Sequence, residues 1–400
     1  MSPRAPHEGV RVDAPREVVP LGQRSRASLR VEGLCFARAG EVVLDDVNFT
    51  LEEGRLLAIV GPSGAGKSTL LALLAGFETA HAGRILFDDI DWKQQSPVER
   101  GIGMSFDDGA LHEHLTVAQN LDSAAVSRGD SREVQRARVA SLAQSLGVTH
   151  LLPRAPVTLS AGERRRIAVA RVFIRSPRLA LLDEPLANLD RGNRYTVRAL
   201  VRDVQRSSGA TTIVVTHDPT DALAIADDLL VLINGRVRAF GPAAEVASRP
   251  IDLEVAQLVD DLGMHVIALT DEQLTRSTVD DASDLATTQC WFAPAFTERI
   301  HGAMDGMNHD GTVLLGIRPW HIRVGAPREP SIVLDAKLIA REGAGIFTDL
   351  IAQRADGRVL RARVDAHEAQ DLPMHAITRF HVHERDVHLF AGPWPGMRLA

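Results

Sequence analysis

The fold is decided by Gly61-Pro62-Ser63-Gly64-Ala65-Gly66-Lys67-Ser68-Thr69, which fits the pattern G-x-x-x-x-G-K-[ST] of loops that cradle phosphates. An apolar run of strand length, residues 56–60, precedes the loop, and a helical pattern begins near Lys67. Glycines let the backbone wrap around a polyphosphate, and the exposed N–H groups favour anionic oxygens. Lys67 is expected to reach the β- and γ-phosphates, and the Ser68 hydroxyl to ligate Mg²⁺. The sequence therefore predicts a nucleoside triphosphate site.

The composition is that of an ordinary globular protein with room for two or three domains. Of the 400 residues, 45% are hydrophobic and 24% are charged. A formal net charge of −7 gives no basic footprint, so we expect no nucleic-acid partner. The two cysteines, Cys35 and Cys290, form no C-x-x-C pair, which favours a reducing cytoplasm over a disulfide framework or a zinc site.

The chain is predicted to contain a tail, two domains and a linker. Residues 1–28 lack the apolar core of a signal peptide and are predicted to be a disordered tail. An α/β domain with a helical insertion is expected at 29–246, a linker region at 247–290, and a small β-rich barrel or sandwich at 291–400. No apolar run approaches the roughly 20 residues of a spanning helix, so we expect no membrane crossing.

Several local patterns fix where elements begin and end. Residues 116–126 predict one helix, and Asp130 with Glu133 forms a capping-box pattern for another that ends at Gly147. Residues 244–259 are predicted to form a helix after the first domain. Two dipeptides, Asn234-Gly235 and Asp356-Gly357, predict hairpin turns.

Two buried strands are predicted to deliver the chemistry. The apolar run 179–182 leads into Asp183 and Glu184, and the run 212–215 leads into Thr216-His217-Asp218. Ligand chemistry in open α/β sheets collects at such carboxyl ends. Asp183 is expected in the Mg²⁺ shell, and Glu184 is expected to polarise the attacking water.

A further motif, Leu159-Ser160-Ala161-Gly162-Glu163, precedes an Arg-rich helix and also satisfies the generic capping-box pattern. This motif resembles LSGGQ. Together with the phosphate loop before it and, after it, the Walker B carboxylates, residues 187–190 and the His217 stretch, it gives an order of motifs that resembles the ATPase subunit of an ABC transporter. The resemblance covers roughly residues 29–246. It implies an ATP-hydrolysing enzyme with a P-loop ABC ATPase fold.

The resemblance also implies a head-to-tail dimer, expected as a homodimer, in which each ATP is closed by the other subunit. Ser160, Ala161, Gly162 and Glu163 form the signature that would meet the partner's γ-phosphate. His217 would contact the γ-phosphate, and Asp190 would couple the two sites.

A motif in the second domain indicates which class of ABC ATPase the chain resembles. Leu315-Gly316-Ile317-Arg318-Pro319 is similar to a stretch in the OB-like C-terminal domain of maltose- and glycerol-phosphate-type importer ATPases, with Trp320 replacing the usual Glu. It implies integral membrane permease subunits as partners, a periplasmic or extracellular binding protein as an indirect one, and a peripheral position on the cytoplasmic face of the membrane. Carbohydrate or polyol is the expected cargo.

Other functions stay open at this point. An importer for polyamine, iron, sulfate or another anion would share the same cassette. A weakened regulatory half of a heterodimer is a second alternative, and a soluble ABC ATPase of translation or DNA maintenance is a third, although the chain has one cassette and no sustained heptads.

Four residues in three motifs of the first domain depart from the family pattern. Asp107 stands where a Gln is usual and is expected to offer Mg²⁺ a charged oxygen. Arg38 stands where an adenine-stacking aromatic is usual, and its guanidinium plane is expected to stack on the base. Ala161 and Glu163 replace Gly and Gln in the signature. We hypothesise slower ATP turnover than in a relative with the full pattern.

Overall fold

The computed structural model describes residues 27–107, 111–125, 131–260, 262–270, 289–291, 300, 312–327, 329, 331–391 and 398. The predicted tail therefore lies almost wholly outside the described residues. In the described ranges, no helix is both long enough and apolar enough to span a membrane.

A mostly parallel sheet forms the centre of the first domain. Its order is β10-β9-β3-β8-β7-β6, and only the edge strand β10 is antiparallel. The strands are β3 (Leu56–Val60), β6 (Gly103–Ser105), β7 (Leu179–Asp183), β8 (Thr211–Val215), β9 (Asp228–Ile233) and β10 (Arg236–Pro242). Strands β3, β7 and β8 are buried along their whole length, as the continuous apolar runs predict for a sheet covered on both faces.

A four-stranded antiparallel sheet packs beside the phosphate loop, in the order β2-β1-β4-β5. Its strands are β1 (Ala27–Arg38), β2 (Glu41–Glu52), β4 (Ala82–Phe87) and β5 (Ile90–Asp91). Leu44 of β2 and Leu70 of the helix after the phosphate loop belong to one hydrophobic cluster, so this sheet packs against the helix that follows the phosphate loop.

Helices flank the central sheet and form the predicted insertion. They are α1 (Lys67–Ala75), α2 (Val117–Ala125), α3 (Arg132–Ser145), α4 (Ala161–Phe173), α5 (Arg191–Ser208) and α6 (Pro219–Ile225). The predicted end at Gly147 is confirmed by its φ of 63° just after α3. The predicted cap at Asp130 is corrected: the side chain of Ser131 accepts from the Val134 N–H and begins α3.

Both predicted hairpin turns are confirmed. Asn234 (φ 48°) and Gly235 (φ 75°) join β9 to β10, as a type I′ turn requires. Gly357 (φ 82°) follows Asp356 between two paired strands of the second domain, β16 (Phe347–Arg354) and β17 (Val359–Asp365).

The predicted helix at 244–259 is wrong in one respect, because two short helices replace it. These are α7 (Ala243–Ser248) and α8 (Leu253–Leu258). Pro250 separates them, since proline removes a helical hydrogen bond, and Asp252 then caps α8 by accepting from the Val255 N–H.

The second domain is antiparallel and β-rich, as predicted. One sheet has the order β11-β13-β19, and the other the order β14-β18-β15-β16-β17 with β12 also pairing with β15. The elements are β11 (His265–Thr270), β12 (Gln289–Trp291), β13 (Thr312–Ile317), β14 (Arg323–Val324), β15 (Ser331–Ala344), β16 (Phe347–Arg354), β17 (Val359–Asp365), α9 (Ala366–Gln370), β18 (Ile377–His383) and β19 (Val387–Ala391). The predicted linker region therefore contains β11, which pairs with β13 along its full length.

A buried arginine joins the two domains. Arg318, at the end of β13, donates through Nη2 to the carbonyl of Ala247 in α7 and through Nε to Nε2 of His388 in β19, 3.2 Å away. Its Nη1 lies 3.9 Å from the buried carboxylate of Asp260. The start of the second domain is thus anchored on the end of the first.

Candidate functional site

The phosphate loop has the shape of a binding loop before any ligand is considered. Gly66 adopts a φ of 99°, and a Cβ at this position would lie 2.7 Å from a methyl of Leu44. A Cβ at Gly61 would lie 2.0 Å from the Leu232 carbonyl oxygen. These two positions require glycine on steric grounds, which explains the spacing of the motif.

Lys67 lies folded into the loop. Its Nζ donates to the carbonyls of Gly61 at 2.7 Å and Pro62 at 3.0 Å. Burial lowers the pKa of this ammonium, while Glu184 and Asp183 raise it. Its charge is therefore held at the centre of the loop, beside the two Walker B carboxylates.

Asp183 and Ser68 meet at the carboxyl end of β7. The Ser68 hydroxyl donates to Oδ1 of Asp183 across 3.4 Å. Burial raises the pKa of Asp183, and the charges of Glu184 and Asp107 raise it further. Hydroxyl and carboxylate oxygens are the hard ligands that Mg²⁺ prefers, so the Ser68–Asp183 pair fits Mg²⁺, whereas the Asp107 carboxylate is exposed and paired with Arg165.

Glu184 and His217 form a pair between neighbouring strand ends. Nδ1 of His217 lies 2.9 Å from Oε2 of Glu184, whose side chain is 17% exposed. Glu184 adopts a φ of 47°, a strained value for a non-glycine residue, and its N–H donates to the Val215 carbonyl. The sequence assigned these two residues to neighbouring strand ends but did not predict their direct contact.

The Ser160 motif begins helix α4 with a complete capping box. Ser160 Oγ accepts from the Glu163 N–H at 3.3 Å, and Glu163 Oε2 accepts from the Ser160 N–H at 2.8 Å. These bonds to Ser160 lower the pKa of Glu163, and Arg154 and Arg166 lower it further. The N–H groups of Ala161 and Gly162 stand in the first turn, where helices attract anions.

Asp190 begins α5 in the same way and touches the signature helix through its neighbour. Its carboxylate accepts from the backbone N–H of Asn193 at 3.0 Å and from the side-chain amide of Asn193. These bonds lower the pKa of Asp190. A Cβ at Gly162 would lie 2.4 Å from Oδ1 of Asn193, so α5 packs directly against the start of α4.

Arg38 lies at the tip of the β1–β2 hairpin. Its guanidinium pairs with Glu78 at 2.9 Å and sits 5.8 Å from the ring centroid of Phe36, with 59% of the side chain exposed. The guanidinium predicted to stack on the nucleotide base is therefore accessible to solvent but already paired with the Glu78 carboxylate.

Asp107 follows β6 and faces the signature helix. Its Oδ1 lies 3.4 Å from Nη2 of Arg165, which is 11% exposed. Asp107 thus stands between Asp183, whose pKa it raises, and the helix that carries the Ser160 motif. The sequence placed Asp107 near the metal but gave no sign of its contact with Arg165.

An exposed apolar surface formed by Phe77 and Phe106 was not predicted from the sequence. The rings of Phe77 and Phe106 stack with centroids 5.9 Å apart, although both side chains are about half exposed. Phe106 also lines a cavity of about 270 Å³, whose walls include Leu111, Arg171 and Arg175. Exposed stacked aromatics beside a concave, partly cationic surface are typical of a docking site for another chain.

Comparisons with known proteins agree with these features. The ABC transporter family model matches residues 44–187. The maltose/maltodextrin import ATP-binding protein MalK of Salmonella paratyphi A is 36% identical over 297 residues, 74% of this chain and 78% of that protein. The sn-glycerol-3-phosphate import ATP-binding protein UgpC 3 of Rhizobium johnstonii is 36% identical over 299 residues, 75% of this chain and 79% of that protein. The solved structure of cbiO1 from Clostridium perfringens, part of the ABC transporter complex cbiONQ, is 31% identical with a TM-score of 0.52 and covers 56% of this chain and 92% of that chain.

Proposed function

Because the chain belongs to the family of ABC transporter ATP-binding proteins, we propose that it powers a binding-protein-dependent importer of carbohydrate or polyol by hydrolysing ATP. The observation that carries the proposal is the arrangement of Lys67, Asp183, Glu184 and His217 at the carboxyl edge of one parallel sheet. The relatives named for import of maltodextrin and glycerol phosphate support the choice of cargo.

The residues divide the work of phosphoryl transfer. Lys67 exchanges its bonds to the Gly61 and Pro62 carbonyls for phosphate oxygens. Ser68, Asp183 and Asp107 would hold a Mg²⁺ ion, which would supply neutralisation of the phosphate charge. Glu184 accepts the proton of the attacking water, and its bond to His217 fixes the orientation of its carboxylate.

A second copy of the chain completes each site. The first turn of α4 presents the Ala161 and Gly162 N–H groups, and the dipole of the helix favours an anion there. The Glu163 carboxylate accepts from the Ser160 N–H, and its Oε1 lies 3.7 Å from Nη1 of Arg154. Its negative charge is therefore compensated within the subunit. This supports a working signature and a homodimer.

The membrane permease is proposed to dock on the stacked rings of Phe77 and Phe106 and the adjoining cavity. This surface is apolar at its rim, whereas Arg171 and Arg175 lie in its wall. A permease segment with apolar side chains and a carboxylate would match it. The chain would then sit peripherally at the cytoplasmic face, and the external binding protein would act through the permease.

Asp107 gives a specific reason to keep the weakened half of a heterodimer as the second candidate. It adds a charge that raises the pKa of Asp183, and it is tied to Arg165. The ion pair with Arg165 makes the Asp107 carboxylate less available to Mg²⁺, and its negative charge repels the triphosphate. Co-purification of a different ATPase subunit would favour this candidate over the homodimer.

The test compares the wild type with Glu184→Gln, each with its permease. Glu184→Gln is expected to lower kcat by at least about 100-fold while stabilising an ATP-bound dimer, since the base is lost and the phosphate contacts remain. Glu245→Gln, an exposed carboxylate in α7 away from the site, is the matched control and should keep wild-type turnover. Undiminished hydrolysis in Glu184→Gln would refute the assignment of the base.

A further inference from the structure

Helix α5 carries a ladder of arginines at four-residue spacing, each paired with an aspartate beyond the helix. Arg194 pairs with Asp218, Arg198 with Asp221, and Arg202 with Asp227. Residues four apart share one face of a helix, so the three pairs form a single row. From sequence alone this row resembles an ordinary solvated face.

The first rung reaches the loop of His217. Nη1 of Arg194 lies 2.5 Å from Oδ2 of Asp218 and 3.8 Å from Oδ2 of Asp221. The other oxygen of Asp218 accepts from the Thr220 and Asp221 N–H groups at the start of α6, and the Asp218 N–H donates to Thr216. His217 therefore lies between Thr216 and Asp218, which are joined by a hydrogen bond, and Arg194 holds Asp218 in place.

The same helix also touches the signature. Its first turn places Asn193 against Gly162, and Asp190 holds Asn193 in place through two hydrogen bonds. Adjacent residues of one rigid turn, Asn193 and Arg194, thus contact the start of α4 and the His217 loop.

We infer that Arg194 is a positioning residue for ATP hydrolysis: it fixes the His217 loop through Asp218 and links that loop to the signature through the first turn of α5. This inference rests on the ATPase function proposed above. In a head-to-tail dimer, His217 serves the ATP bound by its own subunit and the signature serves the ATP of the partner. Arg194 and Asn193 then connect, through non-covalent contacts, two parts of one subunit that serve two different ATP sites.

The ladder itself supplies the matched control. Arg202 pairs with Asp227 at 2.5 Å, and Asp227 accepts from the Leu56 N–H at the opposite end of β3 from the phosphate loop. Arg194 and Arg202 have similar partial exposure, 31% and 22% of their side chains. Arg202→Gln removes a comparable ion pair without touching the His217 loop.

The experiment measures kcat, the KM for ATP and the melting temperature of the full chain with its permease. Arg194→Gln is expected to lower kcat about 10- to 100-fold with little change in KM, because misplacing an orienting group impairs the chemical step while the phosphate loop stays intact. Arg202→Gln should keep kcat within about twofold at a similar melting temperature. Arg194→Lys should recover most of the activity, since a single nitrogen makes both contacts with the aspartates.

A second variant guards against a folding defect. Asp218→Asn keeps an oxygen for the cap of α6 but loses the charge that pairs with Arg194. We expect it to reproduce the kcat loss, and the double variant with Arg194→Gln to lose no more than the worse single variant. Equal kcat for Arg194→Gln and Arg202→Gln, or additive losses in the double variant, would overturn the inference. Absence of hydrolysis in the wild type would instead count against the proposed function.

Discussion

Acidification should weaken the junction between the two domains through one histidine. His388 accepts from the Arg318 guanidinium, and its pKa is lowered to about 4, first by burial and then by the charges of Arg318, Arg398 and His321. His388 is therefore neutral in the folded protein at pH values where an unfolded histidine, with a pKa near 6.5, takes up a proton. A lowered histidine pKa contributes stability above about pH 6.5 that is lost as the pH falls toward 4.

The magnitude follows from the two pKa values. Between pH 7 and pH 5 the unfolded state gains almost a full proton that the folded state does not, which corresponds to about 2 kcal/mol at most. His388 is partly exposed, so solvent screening reduces the expected loss to about 1 kcal/mol. His388→Gln keeps an acceptor for Arg318 but cannot be protonated, so its stability should fall less over this interval.

The assay is urea denaturation at pH 7, 6 and 5, followed by tryptophan fluorescence. Trp320 is a suitable probe because it lies over the Arg318 guanidinium, 5.2 Å from ring centroid to Cζ. His367→Gln, an exposed histidine in α9, is the matched control and should follow the wild type. If His388→Gln loses stability in parallel with the wild type, a buried neutral His388 is not the source of acid sensitivity.

Three further changes test the first domain. Arg100→Met should lower the free energy of unfolding by about 3 kcal/mol or more, because its guanidinium donates to four carbonyls, including those at the end of α1; a loss under about 1 kcal/mol in urea titration would contradict this. Glu163→Gln should change stability by less than about 0.5 kcal/mol at pH 7, because an amide oxygen still accepts from the Ser160 N–H; thermal melting checks it, and a large loss would show that the charge matters. Asp107→Gln should raise permease-stimulated kcat by about two- to tenfold, since it removes a charge that raises the pKa of Asp183; unchanged or slower turnover would exclude Asp107 as the cause of a slow enzyme.

Motifs whose shape depends on local backbone were predictable from sequence. Gly61 and Gly66 are required by contacts within the loop and its neighbours, so the phosphate loop could be located residue by residue. The turn at Asn234 and Gly235 followed from the two residues that tolerate positive φ. Such features are decided over a few residues, where propensity and sterics act together.

Features decided by tertiary packing could not be predicted. The stacking of Phe77 on Phe106 depends on two segments about 30 residues apart remaining exposed side by side, which no periodicity reveals. Strand β11 was assigned to a linker because its neighbours are polar and acidic, and only its pairing with β13 gives it a place. The role of Arg194 was equally hidden, since the partner Asp218 lies on a different element.

The position of Lys67 also bears on how much this side chain contributes to the free energy of nucleotide binding. Its ammonium donates to the carbonyls of Gly61 and Pro62, so these two hydrogen bonds must be exchanged before the ammonium can contact a phosphate. Replacing two existing hydrogen bonds by bonds to phosphate oxygens leaves the number of bonds to the ammonium nearly unchanged. The net free energy that Lys67 contributes to nucleotide binding is then smaller than the number of its phosphate contacts alone would suggest.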